Sequence, residues 1–244
     1  MAAMRLPREP SCPTLVTRHA LNAAIMAAIL GLLSGCGLPF EKHEVQSRPP
    51  IPKISDYNAN DQYPPPNPPP PITTMWVGDS YVYLGAWDAW FVGSVNAGEG
   101  GDTIGMVLAR VQAMTSVPPT VYVWCGINDL NAGVPRSESM VAFAQLINRL
   151  HALGAARIIC LSTLPLAQVF ITYYGVFNTP DVIDTLDAQL QIVATTNGAE
   201  WKDIRSAVAE PDGWCSPQYS MATGIHLNEQ GYGRVLALLM SNPG

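Results

Sequence analysis

Residues 74–80 read Thr-Met-Trp-Val-Gly-Asp-Ser, an apolar run that ends in a glycine and two short polar residues. A run of this kind before a helical pattern is typical of a buried strand that leads into a helix. The unit recurs, because residues 120–125 and 157–161 are also apolar and residues 137–153 and 181–196 have amphipathic helical spacing, the latter with Asp181 as a plausible cap. Apolar strands that alternate with such helices predict a parallel sheet covered on both faces, which is an α/β fold.

Shorter segments complete the predicted pattern. They are helices at residues 81–91, 103–115 and 228–240, and strands at residues 92–96 and 200–204. In sheets of this kind, ligands bind beyond the carboxyl ends of the strands. The turns that follow the strands are therefore the places to look for chemistry.

The composition excludes several classes of protein. The 244 residues are 48% hydrophobic and 13% charged, which is not the composition of a disordered chain. Acidic residues outnumber basic ones, 19 to 13, whereas nucleic-acid-binding proteins need a basic face. Five cysteines cannot form the dense disulfide framework of a small secreted module. We therefore expect a globular domain with an appendage and no nucleic-acid partner.

The N-terminal residues have the features of a secretory signal. Arginines precede an apolar run at residues 21–33, and Ser34, Gly35 and Cys36 follow it. The run is shorter than the roughly 20 residues that a membrane-spanning helix needs, so we expect residues 1–35 to be removed. The ending Leu-Ser-Gly-Cys resembles the lipobox of bacterial lipoproteins, which implies that Cys36 carries a lipid anchor. An ordinary signal with a chance cysteine is the alternative.

The residues after Cys36 suggest a location and a tether. Gly37 stands where these lipoproteins have Asp when they stay in the inner membrane, so the resemblance implies the periplasmic side of the outer membrane in the bacterial cell envelope. Eleven prolines between residues 37 and 72 favour an extended, semi-rigid spacer. We expect residues 36–72 to be this tether and residues 73–244 to be one domain, present as a monomer.

Three groups of residues lie in turns that the fold prediction singles out. Ser80 follows the first strand, where its backbone N–H at a helix N-terminus suits an anion. Residues 96–103 follow the second strand and contain three glycines, which permit a tight turn with outward N–H groups. Asn128 follows the third strand and has an amide that can donate to an oxyanion. Taken alone, each is also explained as an ordinary turn, loop or helix cap.

Histidine is scarce enough to be informative. Of the four histidines, His19 lies in the signal, His43 in the tether and His151 on a predicted helix, which leaves His226 in a loop of the domain. Histidine is the usual base that activates a serine, so His226 is the candidate base. The few histidines and scattered cysteines predict no metal site, and we expect no cofactor.

Together, in order and spacing, these motifs resemble the named blocks of the SGNH (GDSL-type) hydrolase family. The matching residues are Ser80 in Gly-Asp-Ser, Gly101 in Asn-x-Gly-x-x-Gly-Asp-Thr, Asn128 in Gly-x-Asn-Asp, and His226 before Leu-Asn-x-x-Gly-Tyr. The resemblance covers residues 75–240, and the glycine-containing segment at residues 96–103 is most similar to that of the thioesterase and lysophospholipase branch. It implies a flavodoxin-like three-layer α/β/α sandwich with a five-stranded parallel sheet.

The resemblance also implies an activity, the hydrolysis of carboxylic esters through an acyl-enzyme. Ser80 would be the nucleophile and His226 the general base, while the N–H groups of Ser80 and Gly101 and the amide of Asn128 would hold the oxyanion. The substrate would be a small-molecule, lipid or glycan ester. Two alternatives stay open: an O-acyltransferase that acts on an envelope glycan, and a catalytically silent binding lipoprotein.

One position departs from the family pattern. The family places an Asp three residues before the histidine, and this chain has Thr223 there. A backbone carbonyl could orient His226 in a Ser-His dyad, another acid such as Asp212 or Glu229 could reach it, or the site could be weakened. Since a misoriented imidazole costs a triad enzyme about 10⁴ in rate, reduced activity is one expectation.

Two aromatic segments are further candidates for the substrate pocket. Trp87, Trp90 and Phe91 follow the nucleophile and either line an acyl pocket or belong to the core. Residues 164–180 contain four aromatic residues and interrupt the alternating pattern, so we expect this segment to cover the site.

Overall fold

The computed structural model describes residues 71–174 and 178–241, with the side chains of residues 172–174 excepted. The predicted signal, Cys36 and the tether as far as residue 70 lie outside these residues, and their assignments stay predictions. Within the described part of the chain, five parallel strands form one sheet in the order β2-β1-β3-β4-β5. The strands are β1 (Thr74–Gly78), β2 (Ser94–Gly98), β3 (Thr120–Trp124), β4 (Arg157–Leu161) and β5 (Glu200–Lys202).

Helices connect the strands and cover both faces of the sheet. They are α1 (Ser80–Tyr83), α2 (Trp87–Trp90), α3 (Ile104–Gln112), α4 (Ile127–Ala132), α5 (Arg136–Ala152), α6 (Gln168–Tyr174), α7 (Pro180–Thr196) and α8 (Glu229–Ser241). The predicted flavodoxin-like three-layer α/β/α sandwich is confirmed.

The two faces of the sheet have separate cores because side chains alternate along each strand. Met75 and Val77 of β1 point to the face that α3, α5 and α7 cover, whereas Trp76 between them points to the other face. There, Trp76 lies between the rings of Trp87 and Tyr122, with ring centroids 3.8 and 4.1 Å away. Side-chain packing on both faces of the sheet therefore holds β1, the strand that ends just before Ser80.

The prediction of a single helix at residues 81–91 is wrong in one respect, since the structure has two short helices there. The indole of Trp87 lies so close to Gly85 that a Cβ atom at Gly85 would be 2.2 Å from it. The Trp87 Nε1–H donates to the carbonyl of Val82 at 2.7 Å, and the Asn96 amide donates to the carbonyls of Val82 and Gly85. Because side chains satisfy these carbonyls, α1 can end after one turn.

Three smaller expectations also differ from the structure. Helix α7 has Thr179 as its N-cap, and Asp181 lies in its first turn instead of capping it. Helix α4, directly after β3, was not predicted, because Gly-Ile-Asn-Asp is typical of a turn. The last helix begins at Glu229, and Asn228 precedes it with its side-chain oxygen accepting the Gly231 N–H at 2.9 Å.

The cysteines of the described residues are buried and free. Cys125 and Cys160 are 3% and 0% exposed and pack as small apolar side chains. Cys215 is also free, so no disulfide links these three. No helix in residues 71–174 and 178–241 is long and apolar enough to cross a membrane.

Candidate active site

Ser80 lies at the carboxyl end of β1, where the chain turns directly into α1. Asp79 is the N-cap of this helix, and its Oδ1 accepts the N–H of Tyr81 at 2.9 Å. The N–H of Ser80 donates to no group in the described part of the chain. Ser80 is only 8% exposed, so its hydroxyl and its N–H have little contact with solvent.

The turn before Ser80 requires a glycine. A Cβ atom at Gly78 would lie 1.9 Å from the carbonyl oxygen of Trp124 on the neighbouring strand. Strands β1 and β3 therefore approach each other closely at the point where both end, which brings the turn after β3 beside the turn that carries Ser80.

Asp79 is a fully buried carboxyl group beside Ser80, the candidate nucleophile. Burial raises its pKa to about 7, and the nearby carboxylates of Asp129 and Asp102 push it in the same direction. The N–H of Tyr81 favours the charged form and offsets part of this effect. Asp79, next to Ser80, is thus held neutral over much of the acidic range.

His226 reaches Ser80 from the loop before α8. The Nε2 atom of His226 lies 3.0 Å from the Oγ of Ser80, although the two residues are 146 positions apart. Burial lowers the pKa of the imidazole, so His226 is neutral at pH 7 and its Nε2 can accept the hydroxyl proton. Of the histidines with a described position, His151 lies at the end of α5 and makes no contact with Ser80.

Backbone hydrogen bonds hold the loop that carries His226. The His226 carbonyl accepts the N–H of Met221 at 2.8 Å, and the N–H of Asn228 donates to Tyr219 at 3.0 Å. The Asn228 amide adds bonds to the carbonyls of Gln218 and Ser220. The position of the histidine backbone therefore depends on the loop itself and not on a charged partner.

No carboxylate of the described residues contacts the other ring nitrogen of His226. Thr223 is exposed and has no hydrogen bond to the imidazole. Asp212 is exposed and its Oδ1 accepts the Trp214 N–H at 3.2 Å, while Glu229 is exposed in the first turn of α8. The structure thus brings neither of the two candidate acids to His226.

Gly101 lies in the segment 98–103 after β2, which we call the glycine loop. Its φ is +85°, and a Cβ atom there would meet nothing within 4 Å. Like that of Ser80, the N–H of Gly101 donates to no group in residues 71–174 and 178–241. The Glu99 N–H donates to the carbonyl of Gly78 at 3.1 Å, which places the start of the loop beside the turn before Ser80.

Asn128 connects the turn after β3 to the glycine loop. Its side-chain amide donates one hydrogen to the carbonyl of Asp102, next to Gly101, at 2.9 Å. The second hydrogen of the amide has no acceptor among the described residues. Ser80, Gly101 and Asn128 therefore lie on adjoining turns, each with a donor that is not satisfied within the fold, and such donors suit an oxyanion.

The chain matches the model of a known protein family. Residues 76–234 match the model of the GDSL-like lipase/acylhydrolase family, which is well over half of the chain. The chain belongs to this family. The match supports ester hydrolysis in general terms for this GDSL-like protein.

Three solved structures show how far the likeness extends. A candidate platelet activating factor from Streptococcus pneumonia has a TM-score of 0.64 at 20% identity, over 70% of this chain and 83% of its own. A GDSL-like lipase from Bacteroides thetaiotaomicron has 0.59 at 21% identity, over 69% and 85%. An acetylxylan esterase from Geobacillus stearothermophilus, crystallised as a catalytic mutant, has 0.55 at 17% identity, over 70% and 93%. No curated protein matches the chain.

The aromatic residues after Ser80 divide between the core and the surface. Trp87 is fully buried, Phe91 is partly buried, and Trp90 is 36% exposed with its ring 6.1 Å from that of Tyr232. The core interpretation thus holds for Trp87, while Trp90 is partly open to solvent.

Part of the segment predicted to cover the site packs on the loop of His226. The N–H of Ala167 donates to the carbonyl of Gly224 at 2.8 Å, and Gly224 lies against Val169 and Phe170. The side chains of residues 172–177, including the tyrosines at 173 and 174 and the phenylalanine at 177, lie outside the described residues. The prediction of a cover stays a prediction.

Two polar residues near the site were not singled out from the sequence. Asp129 accepts the Ile104 N–H at 2.8 Å and the Ser139 hydroxyl at 2.7 Å, and Arg110 contacts the glycine loop. Asp129 follows Asn128 directly in the third motif, which was a usable signal. Arg110 had none, since an arginine in the last turn of an amphipathic helix normally faces solvent. In residues 71–174 and 178–241, no cluster of three or more metal-ligating side chains is present.

Proposed function

We propose that this GDSL-like protein hydrolyses carboxylic esters through an acyl-enzyme formed on Ser80. The observation that carries the proposal is the 3.0 Å contact between His226 Nε2 and Ser80 Oγ. A serine hydroxyl is a weak nucleophile until a neighbouring base accepts its proton, and a neutral imidazole at hydrogen-bonding distance supplies that base.

The proposed reaction has two halves. In the first, His226 Nε2 takes the Ser80 proton as Oγ bonds to the substrate carbonyl carbon, and the imidazolium then protonates the leaving alcohol. In the second, His226 takes a proton from water, the resulting hydroxyl attacks the acyl-enzyme, and Ser80 regains its proton as the carboxylic acid leaves. His226 ends each turnover neutral.

The negative charge of each tetrahedral intermediate needs donors that are already in place. The N–H groups of Ser80 and Gly101 and the second amide hydrogen of Asn128 are the groups we propose for this role. Loss of one such donor costs an acyl-transfer enzyme about 10²–10³ in rate. None of the three has to break a hydrogen bond to another described residue before it binds the oxyanion.

We infer that Ser80 and His226 act as a dyad. The loop of residues 219–228 supports this interpretation, because its backbone bonds hold His226 in place. The absence of a contacting carboxylate among the described residues supports it as well. Because no acid of the described residues contacts His226 to stabilise the imidazolium, we expect turnover below that of a complete triad.

The location and substrate class are further parts of the proposal. The lipobox at Cys36 and the proline-rich tether support an enzyme anchored by lipid at the bacterial cell envelope, on the periplasmic side of the outer membrane. The glycine loop supports a thioesterase-like or lysophospholipase-like substrate range, and the likeness to an acetylxylan esterase makes acetylated glycans a second class to test. Neither class requires a cofactor or a nucleic-acid partner.

A fluorophosphonate probe tests the proposed nucleophile. We expect the purified protein to be labelled at Ser80, Ser80→Ala to show no labelling, and His226→Ala to be labelled far more slowly. Ser206→Ala removes an exposed hydroxyl on the segment after β5, which carries none of the proposed site residues, and serves as the matched control, with labelling equal to wild type. A folded wild-type protein that neither reacts with the probe nor cleaves acyl esters would support the silent binding protein instead. Acyl transfer to a sugar in excess of hydrolysis would support the acyltransferase.

A further inference from the structure

The glycine loop has to hold the N–H of Gly101 in place without help from a side chain. Gly101 has none, its φ is positive, and no atom lies within 4 Å of the place where a Cβ would be. Glycine also loses more conformational freedom on ordering than any other residue. The direction of this N–H therefore depends on whatever holds the two ends of the loop.

A single guanidinium group holds both ends. Arg110, in the last turn of α3, places its Nε 2.7 Å from Asp102 Oδ2, at the far end of the loop. Its Nη1 donates to the carbonyl of Ala97 at 2.8 Å, just before the loop begins. Its Nη2 donates to the carbonyl of Gly78 at 2.9 Å, two residues before Ser80.

The third of these contacts joins the two backbone donors of the proposed oxyanion site. Gly78 ends the strand that carries Ser80, and Asp102 follows Gly101 directly. Two side chains of α4 also bind this region: the Asn128 amide donates to the Asp102 carbonyl, and Asp129 Oδ2 accepts the N–H of Ile104 directly after the loop. Of these three side chains, only that of Arg110 ties the loop to β1.

The arrangement requires arginine in particular. The three donors lie in one plane and engage three acceptors on different segments, which the fork of a guanidinium allows. The ammonium of lysine is a point charge at the end of a flexible chain and cannot span the same acceptors. The partner carboxylate of Asp102 is only 8% exposed, so water does not readily replace the contact.

We propose that Arg110 is a positioning residue for oxyanion stabilisation, because it sets the N–H of Gly101 relative to that of Ser80. This inference rests on the proposed function, since it concerns the same oxyanion site. It predicts that changes at Arg110 weaken binding of the tetrahedral intermediate and leave binding of the ground-state ester unchanged.

The test compares Arg110→Lys with Arg149→Lys in the full-length protein. Arg149 on α5 also donates its Nη2 to two backbone carbonyls, those of Gln112 and Met114, but neither belongs to the site. We expect Arg110→Lys to lower kcat by about 10- to 100-fold with KM within about twofold of wild type, which is less than the loss of a whole donor. The affinity for an aryl boronic acid, which forms a tetrahedral adduct on serine, should fall by the same factor.

The control separates positioning from general stability. Arg149→Lys should lower Tm by a similar amount to Arg110→Lys while kcat and boronic acid affinity stay at the wild-type values. If Arg110→Lys does not fold, Asp102→Asn weakens the same contact at constant shape and should reduce kcat and boronic acid affinity together. Wild-type kcat and affinity in a folded Arg110→Lys or Asp102→Asn protein would overturn the inference. A wild-type protein without esterase activity would instead overturn the proposed function.

Discussion

Replacement of Thr223 by Asp tests what the missing acid costs the site. Position 223 is where this family carries the Asp that orients the histidine, and the structure shows no carboxylate of the described residues in contact with His226. Thr223 is exposed, so the change needs no repacking. Thr223→Asp should supply a carboxylate to the free ring nitrogen of His226.

The expected size of the effect follows from the state of the imidazole. Burial lowers the pKa of His226 below its ordinary 6.5, and in residues 71–174 and 178–241 no neighbouring carboxylate opposes this shift. An opposite charge within hydrogen-bonding reach shifts a pKa by about 1–3 units toward the charged form, and each unit corresponds to about 1.4 kcal/mol. The same contact stabilises the imidazolium that forms in the transition state. We therefore expect kcat/KM at pH 8 to rise at least about tenfold, with about 10⁴ as the upper limit from triad enzymes.

A pH–rate profile of kcat/KM with an activated ester measures both consequences. His226 must be neutral to act as a base, so activity should rise with pH through the pKa of the free enzyme. In the wild type this rising limb of the pH–rate profile should lie below pH 6.5. In Thr223→Asp it should lie at least about one pH unit higher. Asn has nearly the shape of Asp but carries no charge, so Thr223→Asn should leave the rising limb at its wild-type pH. An unchanged plateau and an unchanged limb in a folded Thr223→Asp protein would refute the reasoning and show that something else orients His226.

Two further predictions concern the turn that carries Ser80. Burial raises the pKa of Asp79 from 3.8 to about 7, so the folded protein binds a proton that the unfolded chain has lost between those values, and the free energy of unfolding should fall by up to about 4 kcal/mol as pH rises from 4 to 7. Asp79→Asn removes the Asp79 contribution and leaves that of Asp187, whose pKa burial also raises to about 7. Urea unfolding at pH 5 and pH 8 should therefore show the variant gaining stability relative to wild type, and a pH-independent difference would contradict the assigned pKa. Gly78→Ala should destabilise the fold by more than about 3 kcal/mol, because its Cβ would meet the Trp124 carbonyl at 1.9 Å, while Gly100→Ala, with nothing within 4 Å, should cost far less in the same thermal melts. Equal melting temperatures for the two alanine variants would mean that β1 and β3 are not in such close contact.

The fold was predictable because its strands and helices can be recognised from short stretches of sequence, and the strand–helix unit recurs along the chain. Strands β1, β3 and β4 are mostly apolar runs of five residues, and each long helix has an apolar face, so the order of these elements was enough to predict a parallel sheet. The break between α1 and α2 was not predictable in this way. It depends on the Trp87 indole, which packs on Gly85 and stacks on Trp76 of β1, and these contacts exist only once the sheet has formed.

The candidate site was predictable where its residues belong to motifs. Ser80, Gly101 and Asn128 lie directly after strands, and the scarcity of histidine left His226 as the candidate base. The role inferred for Arg110 could not be predicted, because two of its three acceptors are backbone carbonyls on other segments. Backbone acceptors leave no pattern in a sequence, whereas a motif of side chains does.

The two halves of the site differ in how complete they are, and this difference bears on whether the protein is a silent binder. On the proposed oxyanion side, the N–H groups of Ser80 and Gly101 have no acceptor among the described residues, and Asn128 and Arg110 hold the glycine loop. On the proposed base side, His226 contacts Ser80 but has no acid partner within the described part of the chain. Triad enzymes that have lost catalytic side chains still accelerate hydrolysis by about 10³–10⁴ through the oxyanion hole and binding alone. A site that keeps the whole oxyanion side and also a base in contact with its serine should exceed that level, so the loss of one acid predicts a slower esterase and not a silent protein.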